Sequence, residues 1–454
     1  MAPESPLTAP RLRLHFPPGR RSLDLAQARL MLFATLWARS LGGTVCASGD
    51  NGAVMDDLTW LGLEPDEVVA TPKEGRYTAV ADELVGRTLA YPCFCGTTEF
   101  REMAPIPSGQ PESHRYDGRC RGLTEDDRKA LRKGGRAVAV RLAQNGAVGA
   151  FTTRDGRTFT VSPDFDFCLI RGDSSVLPPF AALVDDHTAG ATVTLIEERA
   201  ATDAPYRSLI AAALGWSQPE IALLPEWTAP ASTQSVRELR AAGFHPRTLL
   251  RALAATGWDP GEATTVAAMV ARFQLGEVRS SSADLDLNAL REINGALLAS
   301  LPEAERVAAV VDHLTRHGFP LADRDPRWQA RFVAACLPDL RTVADAQTLA
   351  SLLVISTVDY DKEAVRILRA PATQSLLLAF ERTLDSLTTD EEAEWIEAVA
   401  RFRQQADSPG RALGTLRLAL TGTREGPNLA ALLSLLGRER CRSRLDKARR
   451  YAAS

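Results

Sequence analysis

No stretch of the 454 residues stays apolar over the roughly 18 positions that a membrane span needs. The Pro-rich start lacks the apolar core of a signal peptide, so the chain reads as cytoplasmic, with no membrane partner expected. Cysteine is scarce: seven residues are too few and too scattered for a disulfide framework. Cys46, Cys168, Cys336 and Cys441 stand alone and read as buried thiols. Cys93, Cys95 and Cys120 cluster, which in a reducing compartment points to metal before disulfide. Excess positive charge is missing too. A formal net charge of −4 excludes broad, non-specific nucleic-acid binding and gives no reason to expect DNA, while leaving room for a local basic surface. Internal repeats and long low-complexity segments are lacking. What remains is an ordinary globular composition, 45% hydrophobic and 24% charged.

Residues 1–10 are rich in proline and serine and are expected to be disordered. Arg11 to Phe16 alternates like a strand, Pro17, Pro18 and Gly19 turn the chain, and a helix is predicted from about Leu23 to Leu41. Its apolar residues Leu30, Phe33, Trp37 and Leu41 recur at three- and four-residue steps, and Gly42-Gly43 supplies the stop. Thr44 to Ala47 reads as a second strand. Strand, tight turn, helix, strand is a parallel α/β beginning, of the kind that puts a phosphate site at a helix N-terminus. Residues 90–125 look irregular, and 137–196 carry short strands at Ala137–Leu142, Phe159–Val161 and Val193–Ile196. From about 205 onward the spacing is helical, with stretches around 236–256, 287–300, 304–317, 327–337, 346–355, 391–405 and 428–450. The fold class is therefore α/β in the first half and all-α in the second, with a boundary near residue 230.

At many points, in collinear order, the residues resemble bacterial glutamyl-tRNA synthetases. Ala28-Arg29, Leu32-Phe33, Leu36 and Ala38-Arg39 before Gly42-Gly43 look like the first helix of that family's nucleotide-binding fold. Trp60-Leu-Gly-Leu63, Ala90-Tyr-Pro-Cys-Phe-Cys95, Tyr116-Asp-Gly-Arg-Cys-Arg121, Val184-Asp-Asp-His187 and Ala213-Leu-Gly-Trp216 continue the match. So do Ser235-Val236, Gly243-Phe244, Gly257-Trp258, Asn294-Gly295, Arg417-Leu-Ala-Leu-Thr-Gly422 and Leu435-Leu-Gly-Arg438. The resemblance implies a Rossmann-like class I catalytic domain over 11–89 and 136–228, interrupted by a zinc-type insertion over 90–135. Helical stem-contact (234–300) and anticodon-binding (301–454) domains would follow.

The resemblance also marks what is missing. A class I synthetase carries a His-Ile-Gly-His-type motif at the N-terminus of its first helix, where ATP phosphates approach. Here the matching positions are Asp24, Leu25, Ala26 and Gln27, which put a carboxylate and an extra methyl there. The loop before it is altered at Pro17 to Arg21. The lysine-rich loop that neutralises pyrophosphate has no counterpart, because Pro225 to Ser235 contains neither lysine nor arginine. The amino-acid pocket is changed as well: Ser48 to Ala53, with Asp50, replaces an acidic stretch, Pro178-Pro179 replaces Tyr-Asn, and Ile196 replaces the arginine for the substrate carboxylate. Arg199 is the nearby candidate for a displaced ligand. Binding of ATP with magnesium, and glutamate activation, are not expected.

Cys93, Cys95, Tyr116 and Cys120 are similar to the Cys-x-Cys…Tyr-x-x-x-Cys set of the family's zinc-bearing members, with His114 as a substitute donor. The final helix sets seven basic residues against two acidic ones, a net of +5, and Arg438, Arg440 and Arg444 with Arg417 are the expected tRNA contacts. A solvated helix face is the plainer reading of that stripe. The resulting expectation is a catalytically silent relative that binds tRNA, in particular tRNA(Glu), or pairs with another protein. An enzyme of altered tRNA-dependent chemistry, a scaffold and a working glutamate–tRNA ligase are the competing readings.

Overall fold

The computed structural model describes the chain except residues 1–8, 17–20, 50–51, 70–73, 104–114, 155, 164, 228–234, 280–284, 355–357, 390, 407, 427 and 454. It forms two compact units: residues 1–237 with 249–285, and residues 238–248 with 286–454. The span 234–300 is thus divided between them.

In the first unit the alternating Arg11–His15 becomes β1, which pairs in parallel with β2 (Thr44–Ser48) in register from Arg11↔Thr44 to His15↔Ser48. With β3 (Glu67–Val69), β9 (Val193–Glu197) and β10 (Glu220–Leu224) they make a five-stranded parallel sheet, order β10-β9-β1-β2-β3. The helix joining β1 to β2 is Leu25–Ser40, a little shorter than predicted, and is buried on nearly every side from Ala28 to Ala38. That accounts for its all-round hydrophobicity. Gly49 ends β2 at φ +118°, where an added Cβ would lie 2.0 Å from the Phe16 carbonyl oxygen, so only glycine lets the two strand ends meet.

A second sheet, antiparallel, consists of β4 (Ala90–Cys93), β5 (Ala139–Leu142) and β8 (Cys168–Ile170). A hairpin of β6 (Gly149–Thr152) and β7 (Thr158–Val161) pairs with neither sheet but packs Phe151 against Ile221 and Leu223 of β10. Within the stretch expected to be irregular, residues 90–93 form β4 and Thr97–Arg101 a short helix. Arg29 is fully buried and holds segment 249–285 to this unit: its Nε donates to Thr256 Oγ1 at 2.8 Å and its Nη2 to the Pro225 carbonyl at 3.1 Å. Burial pulls its pKa down to about 10. The stacked rings of His187 and Trp216, 3.8 Å apart, bring two of the matched motifs together.

The second unit is helical around a core that includes Phe332, Phe380, Trp395 and Phe402. The run 236–256 is two helices, Val236–Ala241 and Pro246–Ala255, because Gly243 turns at φ +84° and Pro246 can only begin a helix. The last run is likewise two, Leu429–Leu436 and Arg438–Ala453, broken at Gly437. Buried Asn294 accepts from the His245 backbone N–H (2.8 Å) and Thr248 Oγ1 (2.9 Å) and donates to the Arg341 carbonyl (2.6 Å). An added Cβ at Gly295 would meet Arg341 Cδ at 2.9 Å. The Asn294-Gly295 match is therefore a packing motif.

Burial pushes His245 and His313 down to about 4. Their unfolded forms take up a proton near 6.5, so stability is full above that pH and drains away as pH falls toward about 4. Each histidine should cost roughly 3 kcal/mol at most over that window. Thermal unfolding of the second unit from pH 7 to pH 4 should show the slope, and His245→Asn should flatten it; an unchanged slope would count against this assignment.

Candidate functional site

Around the middle of β1 and the C-terminal end of β2 the structure assembles a polar cluster. Arg13, 7% exposed, donates from Nε to Asp186 Oδ1 (2.6 Å) and from Nη1 to Ser48 Oγ (2.8 Å), with Asp185 Oδ2 at 3.6 Å. Asp186 also takes Arg207 and, at 3.1 Å, the Thr194 hydroxyl. Tyr77 donates its hydroxyl to Asp185 at 2.6 Å. Every charge here is matched by its neighbours, which is what a buried polar network requires. The sequence signal that could have revealed it was an arginine on a buried strand and two adjacent aspartates on a mostly apolar helix.

The helix Leu25–Ser40 begins with its own anion. Asp24 is the N-cap, and its Oδ1 accepts from the Gln27 backbone N–H at 2.7 Å. A helix N-terminus offers its free N–H groups to an anion, and Asp24 already supplies one. Leu25 is buried, and Ala26 and Gln27 are half-buried. Just upstream, buried Asp57 accepts from the Leu23 N–H (2.9 Å) and Ser22 Oγ (3.0 Å) and lies 3.7 Å from Arg237, fixing the approach to the helix. Pro178 and Pro179 fill the first turn of the helix Pro178–Ala189, where proline costs no hydrogen bond. Ile196 is half-buried on β9, and Arg199 lies in the turn Glu198–Asp203. Asp50, Pro17 to Arg20, residues 228–234 and the side chain of Arg199 lie outside the described residues.

The sulfur atoms of Cys93, Cys95 and Cys120 all lie within 4.8 Å of one another and can hold a metal ion. Cys95 Sγ is 3.6 Å from Cys120 Sγ, and the Phe94 N–H donates to Cys120 Sγ at 3.4 Å. Tyr116 is buried. Its hydroxyl accepts from the Cys120 N–H at 2.8 Å and also bonds the Cys93 and Cys120 thiols. A hydrogen bond from Cys95 pulls the Cys93 thiol down to about 5, and the same bond pushes Cys95 up. His114 lies outside the described residues.

The expected basic stripe in the second unit is largely spent on the fold. Arg444 is 4% exposed and donates to the carbonyls of Leu420 (2.9 Å) and Leu352 (2.7 Å), each close to a helix C-terminus. Arg438 donates to the Leu387 carbonyl at 2.8 Å. Carbonyls in and just beyond the last turn of a helix lack a partner within it, and arginine supplies one. Arg444 is thus a core residue and not a phosphate contact, and Arg438 is tied down. Arg442 and Arg449 pair with Asp385 and Glu381, while Arg440 is half-buried. Arg417 behaves differently. It lines a cavity of about 860 Å³ with Arg403, Arg424, Ile396, Asn428 and Leu429, and its buried Nη1 has no hydrogen-bond partner among the described residues. Burial lowers its pKa.

A parallel α/β unit with an inserted cysteine-bearing segment, joined to a helical unit with an arginine-lined cavity, defines the architecture of a class I aminoacyl-tRNA synthetase. The model of the class I (E and Q) synthetase catalytic domain matches residues 15–288, and that of the anticodon binding domain matches 304–449. The chain belongs to the glutamyl-tRNA synthetase family. It is 29% identical over 483 residues to the glutamate–tRNA ligase of Desulforudis audaxviator, covering 96% of both chains. It is 28% identical over 490 residues to that of Moorella thermoacetica, covering 97% of this chain and 98% of the relative. The same fold is seen in a glutamate tRNA ligase from Elizabethkingia meningosepticum, with a TM-score of 0.71 at 19% identity and coverage of 98% and 99%.

Proposed function

We propose that this protein binds tRNA(Glu) without activating glutamate, acting as a silent or regulatory member of its family in the cytoplasm. The observation that carries the reading is Asp24, whose carboxylate caps the helix end where ATP phosphates would bind. A phosphate there would meet a negative charge and a donor already taken. The want of any lysine or arginine from Pro225 to Ser235 supports the same reading. The cysteine cluster, with Tyr116 as fourth donor, is suited to a structural zinc ion. Zinc–sulfur bonds of about 2.3 Å place tetrahedral sulfurs about 3.8 Å apart, close to the 3.6 Å between Cys95 and Cys120. Such an ion would stiffen the segment and take no part in chemistry.

Recognition of tRNA is assigned to the cavity that Arg417 lines with Arg403 and Arg424, three guanidinium groups suited to an RNA strand. An arginine that reads a base is worth about 1–3 kcal/mol, so Arg417→Ala should weaken tRNA(Glu) binding by about 5- to 150-fold in a filter assay at fixed salt. If the wild-type protein holds every tRNA equally, the recognition half of this proposal is lost.

A further inference from the structure

One charged residue beside the cysteine cluster has no part in the reading above. Arg141 lies on β5 and is 1% exposed. In the antiparallel ladder Tyr91 faces Arg141 and Cys93 faces Ala139. Side chains two residues apart on a strand share a face, so Arg141 and Cys93 are diagonal neighbours, with Cβ atoms roughly 7–8 Å apart or a little less. The Arg141 guanidinium stacks over the Tyr116 ring, 4.0 Å from its centre, and lies 5.5 Å from that of Phe100. Its Nη1 donates to the Asp166 carbonyl at 2.8 Å, which holds the plane in place.

Resting on the zinc reading, we infer that Arg141 is the counter-charge of the metal site and sets its affinity for zinc. Zinc with three thiolates and a phenolate carries a net charge of −2 in a buried, low-dielectric pocket. Charge of that size needs a partner where water cannot reach it. A guanidinium stays protonated when buried, and over a ring it interacts best with an electron-rich face, which a metal-bound phenolate provides. Arg141 touches no metal ion itself; it acts through Tyr116 and Cys93, as outer groups do at other metal sites.

The test is zinc affinity of the full chain, measured by competition with a colorimetric chelator. Arg141→Gln keeps a donor for the Asp166 carbonyl and removes the charge; it should weaken zinc binding by at least about tenfold. Arg141→Lys keeps the charge and should stay within about threefold of wild type. In a Tyr116→Phe background the Gln substitution should cost less, because the phenolate charge is gone; a purely structural arginine would cost the same in both. Wild-type affinity in Arg141→Gln, or a Lys variant as weak as the Gln variant, would overturn the inference. If Arg141→Gln does not fold, Arg141→Lys decides alone, and a loss of about tenfold there also overturns it. Failure of the wild-type protein to bind zinc would instead refute the zinc reading underneath.

Discussion

Purified protein given ATP, magnesium, labelled glutamate and tRNA(Glu) is expected to leave the tRNA uncharged. Adenylation requires the negative charge that builds on the triphosphate to be met by donors and cations already in place. One such donor is worth about 2.7–4 kcal/mol, so losing one at each ATP motif removes about 5–8 kcal/mol, a rate deficit of about 10⁴- to 10⁶-fold. The first motif is replaced by Asp24 to Gln27, with the Asp24 carboxylate bonded to the helix it caps. The second has no lysine or arginine between Pro225 and Ser235. On the proposed reading Ile196 also stands where the family's arginine would receive the substrate carboxylate. An active relative in the same tube provides the control. Charging above the no-enzyme background would mean that other residues rebuild the site, and the protein would be a working ligase as its relatives' names suggest.

The second large effect concerns stability. Asp186→Ala should destabilise the first unit by about 3–5 kcal/mol in chemical denaturation. Asp186 is fully buried and holds the guanidinium groups of Arg13 and Arg207 together with the Thr194 hydroxyl. Removing it leaves two buried cations with Asp185, 3.6 Å from Arg13, as the remaining carboxylate of the cluster among the described residues. Asp186→Asn should fall between, because the amide oxygen can still accept one of the bonds while the charge is lost. A loss below about 1 kcal/mol for Asp186→Ala would mean that water reaches the cluster and screens it. Since Asp185-Asp186-His187 is also one of the matched motifs, this experiment separates its service to the fold from any service to chemistry.

Local pattern made the α/β beginning legible. Alternation in Arg11–His15, the three- and four-residue spacing after Asp24 and the stop at Gly42-Gly43 are properties of short segments, and each became the element expected. Where a run was misread, the fault was local too. Gly243 and Gly437 each adopt a positive φ inside an apolar run, and apolar spacing alone cannot reveal a break that keeps the spacing intact.

The sequence by itself determined the α/β opening, the helical character of the later half, the lack of lysine and arginine from Pro225 to Ser235 and the three-cysteine cluster, because these follow from residue type and near-neighbour spacing. Only the tertiary structure decided which arginines are available. Arg444 and Arg417 look alike in sequence, yet one satisfies the carbonyls of Leu420 and Leu352 and the other faces a cavity. It alone placed Arg141 over Tyr116 and tied Arg13 and Arg207 to one aspartate. A charged side chain's role depends on which partners folding brings within reach, and those partners lie tens to hundreds of residues away in the chain.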